Sequence, residues 1–326
     1  MTRIFPFKIN HYQQSSGVAL VSVLLLLAVL VTLLSYMIEN QFLSLRQASF
    51  VQQDMVSTWE GHQAYSWAIS MLLKQQKNDY ESDSLSEAWN TESFVFQGTG
   101  QIDASIVDLQ SKFNLNNLSE KSAHQDKWID SFKKLLDLLS LDQDIAYKVV
   151  DWIDADSLPY PGGSGAEDLF YTLLDPARRT ANQNMASVEE LLMIDEITLE
   201  VYQQLLPYVC VLPVHDTTVN LNTSSLELLQ SIIPDGVSSG VLQQFVDERE
   251  ETSLNNVTDL NGFLSNFSVV SPPLNTFLGV NSEYFELASS SSIDDQSRQQ
   301  HIGIKRQLEA TTNEVKFSIL YRKRML

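Results

Sequence analysis

The chain has 326 residues, 44% of them hydrophobic, with 41 acidic against 21 basic residues and a formal net charge of -20. This length and apolar content suffice for two or three domains with a sizeable core and exclude wholesale disorder. The acidity argues against nucleic acid or anionic headgroups as partners, and the single cysteine, Cys210, excludes an internal disulfide, thiolate zinc and iron–sulfur clusters.

Val18 to Ile38 reads VALVSVLLLLAVLVTLLSYMI, without a charged residue. About 20 apolar residues cross a hydrocarbon core of roughly 30 Å as a helix. Arg3 and Lys8 precede the stretch and Glu39 follows it, which predicts a cytoplasmic N-terminus with the bulk of the chain on the far side. A soluble helix would be apolar on one face only. A secretory signal peptide would have an apolar region of roughly 7–15 residues and end in a small-residue cleavage site. Here Glu39 to Leu73 continues without proline and with only Gly61, and places Phe42, Leu45, Phe50, Met55, Trp59, Tyr65, Trp67 and Leu72 among polar residues. The pattern predicts one long helix, apolar all round at first and one-faced later.

A polar loop follows from Lys77 to Glu92. Ser93 to Leu109 then alternates apolar and polar residues around Gly98 and Gly100, which predicts a hairpin. The matching strands lie at the other end of the chain: Glu283 to Ala288, His301 to Glu309 and Glu314 to Arg322, the last two joined by ATTN. Two strand groups about 170 residues apart predict a small α+β domain interrupted by a helical insertion. The insertion contains internal echoes. FNLNNL at Phe113–Leu118 returns as VNLNTSSL at Val219–Leu226, and a leucine-rich helix, a turn and a second helix recur from Leu135, Val188 and Leu228. The Asn residues suit helix N-caps. The turns SLDQD, MIDEI and IIPDG are acidic and contain only one glycine, Gly236, which argues against DNA-binding helical hairpins.

Asp151 to Tyr171, DWIDADSLPYPGGSGAEDLFY, gathers Asp151, Asp154, Asp156, Glu167 and Asp168 around a Pro- and Gly-rich turn. Asp151 and Asp154 share a helix face, and the turn can bring Glu167 and Asp168 back toward them. Such oxygen clusters suit Ca²⁺, although the spacing is not that of an EF-hand. Solvated surface carboxylates are the alternative.

The polar HYQQSSG followed abruptly by the apolar run resembles the leader of type IV prepilins, which a prepilin peptidase cuts after a glycine. The resemblance implies a cut between Gly17 and Val18. Pilins carry a glutamate as the fifth residue after the cut, where this chain has Ser22. A carboxylate in lipid is costly unless paired, and in pilins that glutamate is expected to pair with a neighbour's N-terminal amine. Its absence is similar to one member of the group, the K-type minor pseudopilin of type II secretion (general secretion pathway protein K family). The D-W-x-D-x-D and G-A-E-D-x-x-Y segments resemble the same family, here Asp151, Trp152, Asp154, Asp156, Gly165, Ala166, Glu167, Asp168 and Tyr171. So do LLPYVCVLP and Asn220-Leu221-Asn222-Thr223.

The resemblance implies a leader over 1–17, a membrane segment over 18–38, a pilin-like α+β head over 39–110 and 281–326, and an all-helical, SAM-like or helix-hairpin-helix-like insertion over 111–280. It also implies calcium in the insertion, a single pass through the bacterial inner membrane with the bulk in the periplasm, and assembly with I- and J-type minor pseudopilins at a filament tip that assists export of folded proteins. Enzyme motifs are lacking: the five histidines are scattered, and GxSxG, Walker and GxGxxG patterns do not occur. A membrane-anchored periplasmic hydrolase using the Asp151–Asp168 loop and a DNA-uptake protein are the competing readings.

Overall fold

The computed structural model describes residues 16–76, 82–91, 94–97, 101–161, 165–234, 236–267, 274–293, 296–309 and 314–325. Most of the expected leader, the glycines 98 and 100, the ATTN turn and Gly162–Gly163 lie outside the described residues.

Helix α1 (Ser16–Gln76) is an unbroken helix of 61 residues, as a stretch without proline and with Gly61 as its only glycine after Gly17 allows. The chain divides into two compact units, Met1–Trp59 and Glu60–Leu326. In the first, the large apolar side chains from Val18 to Ile38 are all exposed, the least of them, Leu30, by 49%. The most apolar 18-residue window of α1 has a mean hydropathy of 2.9, and among the described residues this is the one helix long and apolar enough to cross a membrane. A helix satisfies its own backbone, so an apolar circumference is compatible with lipid on every side.

In chain order the second unit carries α2 (Ala88–Thr91), β1 (Phe94–Gln97), β2 (Gln101–Asp108), β3 (Phe113–Asn114), α3 (Gln125–Leu138), α4 (Ile145–Ile153), α5 (Asp168–Tyr171), α6 (Leu199–Leu205), β4 (Val209–Cys210), β5 (Val219–Asn220), α7 (Leu226–Ile232), α8 (Ser239–Glu251), α9 (Val257–Ser265), β6 (Leu278–Gly279), β7 (Tyr284–Ile293), β8 (Gln296–Glu309) and β9 (Glu314–Met325). A five-stranded antiparallel sheet runs β1-β2-β7-β8-β9. Period-2 alternation puts Ala104, Ile106, Phe285, Leu287, Ile302 and Ile304 on one face, where they meet Ala64, Ala68 and Leu72 of α1. Small residues bring the helix close. A Cβ on Gly61 would lie 1.9 Å from Gln300 Oε1. The stretch expected as a polar loop contributes to this core: Trp89 of α2 is buried against Phe285, with ring centroids 5.7 Å apart. The compact unit that holds the sheet begins at Glu60, while residues 39–59, expected in the head, fall in the first unit.

The insertion leaves after β2 and returns before β7, and these two strands remain neighbours with Asp108 opposite Phe285. Its main apolar cluster runs from Phe113 to Val280, while Cys210 and Leu212 pack with Leu109 and Tyr284 at the junction. The echo read in the sequence is a structural repeat. Each half opens with a two-residue strand paired in parallel to the strand that closes that half, β3 with β4 and β5 with β6. Asn114 caps the short turn Leu115–Leu118 by accepting from Asn116 N, and Asn220 Oδ1 accepts from Asn222 N in the same way. The second asparagine of each motif then grips a distant backbone from both sides. Asn116 donates to Met185 O and accepts from Met185 N, at 3.0 and 2.9 Å. Asn222 does the same to Leu254, at 2.9 Å each. Two residues beyond each gripped position a capping box starts a helical turn, Ser187 with Glu190 and Asn256 with Asp259. The stretch expected as a third helix pair is the end of the first half, and its leucine-rich part, Val188–Met193, is a 3-10 turn rather than an α-helix.

A buried polar knot joins insertion and sheet. Asp108 accepts from Gln110 N, Asn220 Nδ2, Thr223 Oγ1 and Ser282 Oγ at 2.8, 3.1, 2.6 and 2.7 Å. Beside it Asp83 pairs with Arg306 of β8, both side chains 2% exposed, and accepts from Ser282 N at 2.7 Å. Breaking a buried pair by removing one partner costs about 3–5 kcal/mol, whereas replacing both with apolar residues is far milder. Arg306→Met is therefore expected to lower unfolding free energy in urea by that amount, with most of it restored by adding Asp83→Leu. A single substitution as benign as the double would show that the pair does not hold the junction.

Candidate metal centre

Helix α4 buries Ile145, Ala146, Val149, Val150 and Ile153 in the insertion core, and it buries Asp151 and Asp154 as well. The chain leaves α4 at Asp154, loops out and returns through Gly165 to Glu167, the N-cap of α5. The return limb passes so near the helix that a Cβ on Gly165 would lie 1.8 Å from Asp151 Oδ2. Asp151 also grips the loop, with Oδ1 accepting from Tyr160 N at 2.8 Å. The far end is set by Tyr171, whose ring meets Trp152 edge-on at 5.6 Å and whose hydroxyl accepts from Asp195 N at 3.1 Å.

This route brings one carboxylate oxygen each of Asp151, Asp154 and Glu167 within 4.8 Å of one another, all three residues buried. Asp151 Oδ2, Asp154 Oδ1 and Glu167 Oε1 are buried with no hydrogen-bond partner. Buried polar atoms in a native fold are normally satisfied, and three orphaned carboxylate oxygens in one cluster could be satisfied by a cation or by protons. Burial is the main cause that pushes Asp151 up to about 6 and Asp154 and Glu167 up to about 7. Repulsion among the carboxylates adds to it, from Asp156 on all three and, for Asp154, from Glu120 as well. The donors are hard oxygens, which favours a hard divalent ion over a soft one.

The five acidic candidates thus separate. Asp151, Asp154 and Glu167 converge. Asp156 is exposed, accepts from Leu158 N at 2.6 Å and acts on the cluster through its charge. Asp168 turns to Thr180, accepting from its N and Oγ1 at 3.0 and 2.9 Å, and fastens the return limb. Tyr160, through its backbone, and Glu120, through its charge on Asp154, bear on the site without having stood out in the sequence, whereas Gly165 belongs to the G-A-E-D segment singled out there. At the other candidate position, Gly17 and Val18 lie in the first turn of α1 and Ser22 Oγ donates to Val18 O at 2.9 Å, so the hydroxyl is satisfied inside its own helix.

Sequence profiles of the type II secretion system (T2SS) protein K match residues 111–214 and 219–281. The gap between the two matches falls between β4 and β5, where the structural halves meet. The type II secretion system protein K of Pseudomonas aeruginosa is 30% identical over 291 residues, which cover 86% of this chain and 85% of that protein. Its Aeromonas hydrophila counterpart is 29% identical over 300 residues, covering 87% and 90%. A chain in the crystal structure of the GspK-GspI-GspJ complex from the enterotoxigenic Escherichia coli type 2 secretion system aligns over 86% of this chain and 99% of its own. The TM-score is 0.68 at 24% identity, a likeness of fold. It agrees with the α+β class.

Without a metal, the three carboxyls hold their protons more tightly in the folded than in the unfolded chain. The folded state therefore binds more protons between about pH 4 and about pH 7, and stability falls as pH rises through that window. Thermal unfolding in chelator at about pH 5 and about pH 8 should show this fall, and Asp154→Asn should flatten it. Identical pH slopes for the two proteins would contradict the assignment.

Proposed function

The chain belongs to the family of type II secretion system protein K, and on that premise we propose that this minor pseudopilin initiates or caps the tip of the secretion filament. The carrying observation is the first part of α1, apolar and exposed on every side, with Ser22 where the pilin pattern has glutamate. A pilin glutamate needs the amine of a subunit ahead of it, because an unpaired carboxylate in lipid is costly. A serine bonded to its own helix has no such need. The insertion between β2 and β7 widens the head, which also favours an end position over one inside a helical stack.

In this reading a prepilin peptidase cuts between Gly17 and Val18, α1 holds the precursor in the inner membrane, and the bulk of the chain lies in the periplasm. The partners are I- and J-type minor pseudopilins, supported by the complex in which the structural neighbour was solved. The role is assembly rather than catalysis, in support of export of folded proteins. The insertion is SAM-like or helix-hairpin-helix-like in kind, supported by the hairpins α3–α4 and α7–α8. Calcium occupies the carboxylate cluster. Asp151, Asp154 and Glu167 hold it, Asp156 adds negative potential, and Asp168 steadies the loop through Thr180. The ion supplies positive charge that offsets three buried carboxylates and ties the end of α4 to the start of α5.

Co-purification of the full chain with I- and J-type pseudopilins should yield a stable ternary complex; a lone monomer with hydrolytic activity would overturn the reading. Ser22→Glu is expected to bring no gain in filament assembly, and a clear gain would remove the tip assignment. Calorimetry should register Ca²⁺ binding that Asp154→Ala combined with Asp156→Ala abolishes. Unchanged binding in that variant would sink the site.

A further inference from the structure

We propose that Tyr160 is the positioning residue of the carboxylate cluster, holding the outgoing limb of the loop against the α3–α4 hairpin so that Asp151 presents a fixed oxygen to the ion. The inference rests on the reading of the cluster as a calcium site. The Tyr160 N–H donates to Asp151 Oδ1 at 2.8 Å, which leaves Oδ2 as the oxygen of that carboxylate without a protein partner. Rotation about the Cβ–Cγ bond would exchange the two oxygens, and the amide opposes it only while residue 160 stays in place.

The side chain of Tyr160 keeps it there. Its ring stacks on Tyr147 of α4, with centroids 5.4 Å apart and planes 21° from parallel, and its hydroxyl donates to Asp126 Oδ1 of α3 at 3.2 Å. Tyr147 is itself fixed from α3: Lys133 Nζ donates to its hydroxyl at 2.8 Å and lies 4.9 Å from its ring centroid. The flanking Leu158, Pro159 and Pro161 are exposed, Leu158 by 73%. The outgoing limb is thus held by one aromatic side chain set between two helices. A loop already held loses less conformational freedom when the ion arrives, which raises affinity without adding a ligand.

The test is calcium calorimetry on the full chain in detergent, paired with thermal unfolding in chelator. Tyr160→Ala keeps the backbone amide and removes the pin. It is expected to raise the calcium Kd by about 10–100-fold while the metal-free Tm stays within about 2 °C. Tyr160→Phe keeps the stack and should restore the Kd to within about threefold of wild type. Tyr147→Leu, which removes the platform and leaves the loop intact, should reproduce the loss and serves if Tyr160→Ala does not fold. Calcium binding by Tyr160→Ala within about threefold of wild type would overturn the proposal. So would a metal-free Tm that falls in step with affinity, because that is general destabilisation. A wild-type chain that binds no calcium would remove the site itself, and this inference with it.

Discussion

Five segments of the second unit converge on two buried carboxylates at the mouth of the insertion. Asp83 comes from the segment after α1, Asp108 from the last position of β2, Asn220 and Thr223 from the second half of the insertion, Ser282 from its exit and Arg306 from β8. The Arg306 guanidinium pairs with Asp83, and burial pushes Asp108 up to about 6 despite four donors around it. Such an arrangement contributes little net stability compared with an apolar plug. What it supplies is directionality. Hydrogen bonds from five segments can be satisfied together in one mutual orientation, whereas apolar surfaces would tolerate sliding.

The two halves of the insertion bury charge of opposite sign near the ends of corresponding helices. In the second half, α8 ends at a buried cation of its own, Arg249, whose guanidinium donates to Leu221 O and Ser224 O. In the first half the corresponding helix, α4, ends in acids, with Asp151 and Asp154 joined by Glu167. One half carries its positive charge covalently. The other gathers negative charge that only an external ion or protons can balance.

Much of this organisation was legible in the chain. The uncharged run from Val18, the alternation in the two distant strand groups and the Asn-Leu-Asn echo each reflect a local rule, of helix length, of pleat and of capping, that works without knowledge of the tertiary fold. Burial of Trp89 in a stretch dense with Ser, Asp and Glu was not legible, because it depends on Phe285 arriving from far along the chain. The grip of Asn116 on Met185 was hidden for the same reason. Within the acidic loop, residue type identified five oxygen donors but not their directions. Asp168 turns to Thr180 and Glu167 turns inward although they are neighbours, since α5 begins between them and sends consecutive side chains to different faces.

Asp108 and Phe285 stand opposite each other across two strands, although the whole insertion lies between them in sequence. To the sheet, the insertion is an oversized hairpin turn whose ends are one strand spacing apart. Each of its halves closes on itself through its own parallel strand pair, so neither borrows an edge from the sheet. The host fold constrains that turn chiefly at its mouth, where Asn220 and Thr223 bond Asp108 and where Cys210 and Leu212 pack with Leu109 and Tyr284. Beyond that mouth, evolution could enlarge, duplicate or add a carboxylate cluster to the turn while β2 and β7 kept their register, which makes this junction the natural point at which a plain filament subunit acquires a specialised head.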